Sequence, residues 1–311
     1  MPIHALTRRR LLQHSALLAA AAGIAPLLAG NAWAASGLVS RKIPSSGASL
    51  PIIGLGTSQT FNVSLAPDEL KPLLEVLKVM VAGGAQVIDT APSYGNAEAV
   101  SGELVKQSGS RDKVFLATKV SATGRDAGMA QIERSFKALQ TDTIDLIQVH
   151  NLQDTTTQLA NLRELKARGR IRYIGVTHYR EAAQDDLLAV LQKEKVDFVQ
   201  VNLSVGARYA EKRLLPWCAD NGVAVLINRA FQAGDLFAQV KGKEVPEWLA
   251  EELDITSWAQ AMLKFVLGAK GVTTVIPATS NPRYAADNLL AGQGRMPDAA
   301  QRERIAALFV G

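Results

Sequence analysis

VIDTAPSYG, residues 87–95, starts as a strand and finishes as a loop. Val87-Ile88 is apolar and β-branched, the pattern of a strand buried on both faces. Pro92 and Gly95 then end regular structure. Asp89 therefore stands where the strand runs out, and Tyr94 stands in the loop beyond it. In a parallel α/β sheet that edge is where ligands bind. Two later strands end the same way: VFLATK (114–119) in Lys119 and IDLIQVH (144–150) in His150.

Working outward, further strand-like runs are IIGLG (52–56), QVIDT (86–90), IRYIGVT (171–177), FVQVN (198–202), VAVLI (223–227) and VTTVI (272–276). Helical patterns alternate with them: 67–82, 97–107, 127–139, 156–168, 181–193, 210–221, 255–267 and 281–290. Pro67 near a helix start and Gly83-Gly84 at its end are the expected punctuation. Residues 231–253 read as an insert, with Glu244–Trp248 a loop inside it. Before the repeat, LVSRKIPSSGASLPIIG (38–54) reads as a β-hairpin turning at 45–47. After it, 298–309 reads as one extra helix. Eight strand–helix units with right-handed crossovers predict an α/β fold, a (β/α)8 TIM barrel with an N-terminal β-hairpin and an extra C-terminal helix. The rival is a doubly wound dinucleotide fold. Gly54-Leu55-Gly56-Thr57-Ser58-Gln59 supports it, but Gln59 stands where that fingerprint needs a third glycine.

The first 34 residues differ from the rest. Arg8-Arg9-Arg10-Leu11-Leu12 precedes an apolar, Ala-rich run over 16–28, too short to span a bilayer comfortably, and Ala32-Trp33-Ala34 has the small-x-small form of a cleavage site. This resembles a twin-arginine export signal. It implies a cleaved signal peptide at 1–34, a mature domain at 35–311, a periplasmic location, the export machinery as a partner and no stable membrane anchor; the alternative is an uncleaved anchor. Of 34 Lys and Arg, three are in the leader, which leaves 31 basic against 29 acidic residues. A mature net charge of +2 gives no reason to expect nucleic acid as a partner. Cys218, the single cysteine, excludes an internal disulfide and reads as a packing residue. No ligand spacing for a metal is visible.

Alone, each strand-end residue has a structural reading. Asp89 could cap the Pro92 turn, Tyr94 could be a rim aromatic, Lys119 a solvated strand end and His150 a core histidine. Together, with GLGT, DTAPSYG, TK, VH, YIGVT, VQVN and VIPATSNPRYAADNL in this order, the mature chain resembles the aldo-keto reductases, which are NAD(P)H-dependent carbonyl reductases on this barrel. The resemblance implies a small carbonyl or alcohol substrate and a catalytic set of Asp89, Tyr94, Lys119 and His150. Tyr94 would be the general acid. Lys119 would favour its phenolate, Asp89 would fix Lys119, and His150 would orient the substrate oxygen.

The resemblance also implies cofactor contacts at Gly56, Thr57, Asp89, Thr177, His178, Gln200, Asn228, Phe231, Pro277, Thr279, Ser280, Arg283 and Asn288. Gln200 would bind the nicotinamide carboxamide. Thr177-His178 replaces the family's Ser-Asn, and Asn228 takes the place of a stacking Tyr, for which Phe231 is a substitute. Ala278 stands where NADP-preferring members carry Lys, and Tyr284 where they carry Arg. Arg283 could instead reach a 2′-phosphate, so NADP(H) is preferred over NAD(H), if weakly. These departures also admit a non-catalytic nucleotide-binding barrel acting as a sensor or assembly subunit.

Overall fold

The computed structural model of the chain describes residues 37–309, so the leader lies outside the described residues. The hairpin pairs β1 (Ser40–Lys42) with β2 (Ser49–Pro51), antiparallel. Eight parallel strands follow in order around one sheet: β3 (Leu55–Gly56), β4 (Val87–Asp89), β5 (Phe115–Val120), β6 (Ile144–His150), β7 (Ile171–His178), β8 (Phe198–Asn202), β9 (Ala224–Asn228) and β10 (Thr274–Val275). Each strand pairs with its neighbour in sequence, and bridges Ile53–Val275 and Gly56–Ala278 close the ring. The doubly wound alternative is excluded, because that fold leaves its sheet open.

The helices are α1 (Pro67–Ala82), α2 (Ala97–Ser108), α3 (Arg125–Ala138), α4 (Thr155–Ala167), α5 (Gln184–Lys193), α6 (Leu214–Asn221), α7 (Asp235–Gln239), α8 (Glu247–Leu253), α9 (Trp258–Leu267), α10 (Pro282–Leu290) and α11 (Ala299–Ala307). Caps explain several ends. Ser257, Asn281 and Asp298 each accept a backbone N–H of the first turn, and Asp298 with Gln301 completes a capping box. One expectation is corrected: α8 begins at Glu247, inside the stretch read as a loop over 244–248. Pro246, extended at ψ 138, is the residue from which the helix starts rather than part of a longer turn. Cys218 is fully buried in α6, and burial pushes its thiol up to about 12, so it packs as an apolar group.

Two apolar clusters divide the interior. The larger fills the space between the strands' outer faces and the helices. The smaller lies inside the barrel: Val87, Phe115, Ala117, Leu146, Phe198, Ala224, Leu226 and Ile276, with Ile43 and Leu50 of the hairpin. The hairpin thus plugs the N-terminal end of the barrel. Side chains alternate faces with period two along a strand. The next inward positions after these apolar ones are therefore Asp89, Lys119, Gln148, Gln200 and Asn228. The barrel interior changes from hydrocarbon to polar in a single step towards its C-terminal mouth.

Candidate active site

Asp89 is the hub of the polar layer. Its Oδ2 accepts from Lys119 Nζ at 2.7 Å, and its Oδ1 accepts from Gln200 Nε2 at 2.7 Å and from Gln148 Nε2 at 3.4 Å. Lys119 Nζ also donates to the Thr90 carbonyl at 2.8 Å. Lys119 is 1% exposed, which rules out the reading of a solvated strand end. Burial pulls its pKa down, but the carboxylate of Asp89 and then the phenol of Tyr94 outweigh that, and the net direction is upward. It is an ammonium held in the interior by a paired anion.

The loop after β4 carries Tyr94 to the same place. Tyr94 N–H bonds Ala91 O at 3.0 Å, and Gly95 takes φ +60 to turn the chain into α2. Asn62, from the loop after β3, accepts from Asn96 N–H at 3.0 Å, and Thr57 bonds Asp89 O through both its N–H and its hydroxyl. With these ties in place, Lys119 Nζ lies 5.1 Å from the Tyr94 ring centroid. The His150 ring meets Tyr94 edge-on at 6.1 Å. Burial, followed by the charges of Lys119 and His178, lowers His150 to about 4, so its imidazole is neutral at ordinary pH.

These groups open into a cavity of about 550 Å³ at the mouth. Gly56, Thr57, Asp89, Tyr94, His150, Thr177, Gln200, Asn228, Phe231 and Pro277 all line it. Lys119 sits directly behind that wall, bonded to Asp89. Gln200 is already engaged: its Oε1 accepts from Asn228 at 3.2 Å and from Thr177 at 3.4 Å. Two lining atoms, Asn228 Oδ1 and Thr60 Oγ1, are buried without a hydrogen-bond partner among the described residues. An orphan acceptor beside Gln200 suits the N–H groups of a carboxamide, so the wall fits a nicotinamide.

Other expected cofactor residues lie outside the cavity wall. His178 turns away and stacks on Tyr179, with its Nδ1 accepting from Arg180 N–H at 3.1 Å. Thr279 Oγ1 accepts from Asn281 N–H at 3.0 Å. Ser280 and Arg283 are exposed, and Asn288 is buried on the inner face of α10. The Arg283 N–H at the head of α10 is taken by the Asn281 side chain at 2.9 Å. Gln148, Tyr179 and Arg229 are parts of the site that strand-end reasoning passes over. Among the described residues no group of three His, Cys, Asp or Glu could hold a metal ion, and no helix is long and apolar enough to cross a membrane.

Comparison with known proteins places this arrangement. The family model described as "Aldo/keto reductase family" matches residues 52–307. The methylglyoxal reductase YeaE of Escherichia coli is 31% identical over 75% of this chain and 82% of its own length. The aldo-keto reductase YhdN of Bacillus subtilis is 31% identical over 65% of this chain, a match that spans 64% of that relative's length. Among solved structures, an aldo/keto reductase from Klebsiella pneumoniae in complex with NADP and acetate superposes with a TM-score of 0.71 at 26% identity, covering 85% of this chain and 93% of that one. The match runs from just before β3, the first strand of the barrel, to the end of α11 and takes in the Asp89–Lys119 pair, Tyr94 and His150: the chain belongs to the aldo/keto reductase family.

Proposed function

We propose that this protein is an NADP(H)-dependent oxidoreductase that reduces an aldehyde or ketone to an alcohol, or runs the reverse, with Tyr94 as its general acid. The observation that carries this reading is the buried Lys119–Asp89 pair beside the Tyr94 ring at the wall of the cavity. When bound, the reduced nicotinamide supplies the hydride. The chain's own residues handle the oxygen. Neutral His150 has an N–H to donate to the carbonyl oxygen and so orients and polarises it. Tyr94 passes its phenolic proton to that oxygen. The ammonium of Lys119 stabilises the negative charge left on the phenol, and Asp89 holds the ammonium where that charge develops.

Gln200 and Asn228 would hold the carboxamide, with Gly56, Thr57, Thr177, Phe231 and Pro277 around it. Arg283, with Thr279, Ser280 and Asn288 at α10, would serve the phosphate end. We take NADP(H) over NAD(H), supported by the NADP-bound relative from Klebsiella. Another relative, an NADH-specific methylglyoxal reductase of E. coli at 28% identity, argues the other way. Four relatives, this one included, are named as methylglyoxal reductases, which supports a small carbonyl substrate. The twin-arginine leader, whose structure is outside the described residues, extends the reading to export into the periplasm. Tyr94→Phe tests the acid: carbonyl reduction should fall roughly 10²- to 10⁴-fold with NADPH binding retained. Parental turnover in that variant would remove Tyr94 from the role.

A further inference from the structure

Arg229 follows Asn228 at the end of β9, lines the cavity, and holds a left-handed φ of +54. A non-glycine residue in that region is strained, and such strain persists where the surroundings impose it. What the strain achieves is the direction of the side chain. The Arg229 guanidinium carbon lies 5.8 Å from the centroid of the Tyr179 ring, which follows β7. Tyr179 is itself fixed. Its hydroxyl accepts from Arg180 Nε at 3.0 Å, and its ring stacks on His178 at 5.7 Å and 13°. Arg229 therefore reaches back past the end of β8 towards β7, the strand beside His150 and Asn151.

Charge accounting within the cavity singles out the same residue. Among the described residues Arg41, Arg134, Arg180, Arg229 and Arg283 have no carboxylate partner, unlike Arg208, Arg295 and Arg302, and of those five only Arg229 lines the cavity. In the cavity wall the charge of Asp89 is matched by Lys119. Arg229 is left as an uncompensated cation facing the space in which a substrate would meet Tyr94 and His150. A guanidinium with free N–H groups, seated on an aromatic face, is suited to a carboxylate.

We propose that Arg229, positioned by Tyr179, binds a carboxylate of the substrate, so that the site takes aldehydes or ketones that carry an anionic group away from the reacting carbon. This rests on the reductase reading. A cofactor phosphate offers the same oxygen chemistry: the reductase reading places the terminal phosphate at the head of α10, and the pyrophosphate is the competing claimant that the KM for NADPH separates.

The test compares butanal with 4-oxobutanoate, the same aldehyde with a carboxylate added, in the full chain with NADPH. Arg229→Gln should lower the ratio of kcat/KM for 4-oxobutanoate over butanal by roughly 10- to 100-fold, and Arg229→Lys should restore part of it. In parallel, saturation-transfer NMR with NADP⁺ present should show 4-hydroxybutanoate bound to the parent and its signal lost in Arg229→Gln. An unchanged ratio together with unchanged NMR signals overturns the assignment. So does a rise in KM for NADPH with both aldehydes affected alike, which would give Arg229 to the cofactor. Should neither aldehyde turn over, the reductase reading fails and the NMR contrast alone decides the anion site.

Discussion

His150 sets the acid limit of the site. Its pKa is held at about 4, against 6.5 for an ordinary histidine, by burial and by the nearby charges of Lys119 and His178. The unfolded chain takes up this proton near 6.5, and the folded chain only near 4. The contribution of a neutral His150 is thus complete above 6.5 and is lost as the pH falls towards 4, where the loss reaches about 3 kcal/mol. Urea unfolding at pH 7.5 and at pH 4 should show that loss in the parent, and a smaller loss in His150→Gln; equal losses would contradict the shift. The pH profile of kcat/KM should likewise show no step near 6.5 attributable to His150. At this scale the sequence is readable where a polar residue ends an apolar strand, as at Asp89, Lys119 and His150. Gln148 is passed over because it sits inside IDLIQVH, yet two residues before His150 is the same inward face, and counting by two from Leu146 finds it. Tyr179 and Arg229 have no such signal. Arg229 takes its direction from a left-handed backbone that no residue pattern announces, and Tyr179 is held by Arg180 and His178.

Elements hold the mouth still by packing closely at a few points. Gly102 in α2 shows how closely: a Cβ there would meet Ala138 O at 2.3 Å and the backbone of Leu139 at 2.8 Å, at the end of α3. Alanine would add about 1 kcal/mol of helix propensity, but forcing a methyl against backbone costs about 1–3 kcal/mol. The contact is with carbonyl and main chain rather than a flexible side chain, so the steric term should win. Gly102→Ala should lower Tm, and a raised Tm would show that α2 and α3 separate easily. The C-terminal elements are tied differently. Lys264 of α9 donates to the carbonyls of Leu253, Gln293 and Arg295 at 2.6, 2.9 and 2.8 Å, using all three ammonium protons. Helix ends that carry their own signals, Pro67 with Gly83 or Asn281 with Pro282, are legible in the sequence. The Lys264 tie joins residues far apart in the chain and has no local signature, and α8 hides its start behind a proline that reads equally well as a loop.

At the scale of the molecule the barrel is asymmetric by construction. A hairpin and hydrocarbon side chains stop its N-terminal end, and a polar layer with unpaired acceptors opens at the other. The alternation of strands and helices made that architecture legible, because only a closed ring gives eight parallel strands two neighbours each. It did not make legible whether the barrel turns over or only senses nucleotide, since both uses need the same mouth. Stability separates them from simple denaturation controls. Ligand at about 100 times its Kd adds about 2.7 kcal/mol to the folded state, which for a chain of this size is a rise of about 5 °C in Tm. NADPH should give that shift, and NADH a smaller one at equal concentration. A shift without turnover of any aldehyde or ketone would favour the sensor. The proposed export would add a condition, because the twin-arginine route moves folded protein and a nucleotide bound in the cytoplasm would then travel in the site. Protein taken from the periplasm and weighed under non-denaturing conditions should start at Ala35 and carry a nicotinamide nucleotide. A chain that still begins at Met1 would refute cleavage. A mature chain weighing only its polypeptide would mean that the cavity travels empty and that the nucleotide has to be met outside the cytoplasm.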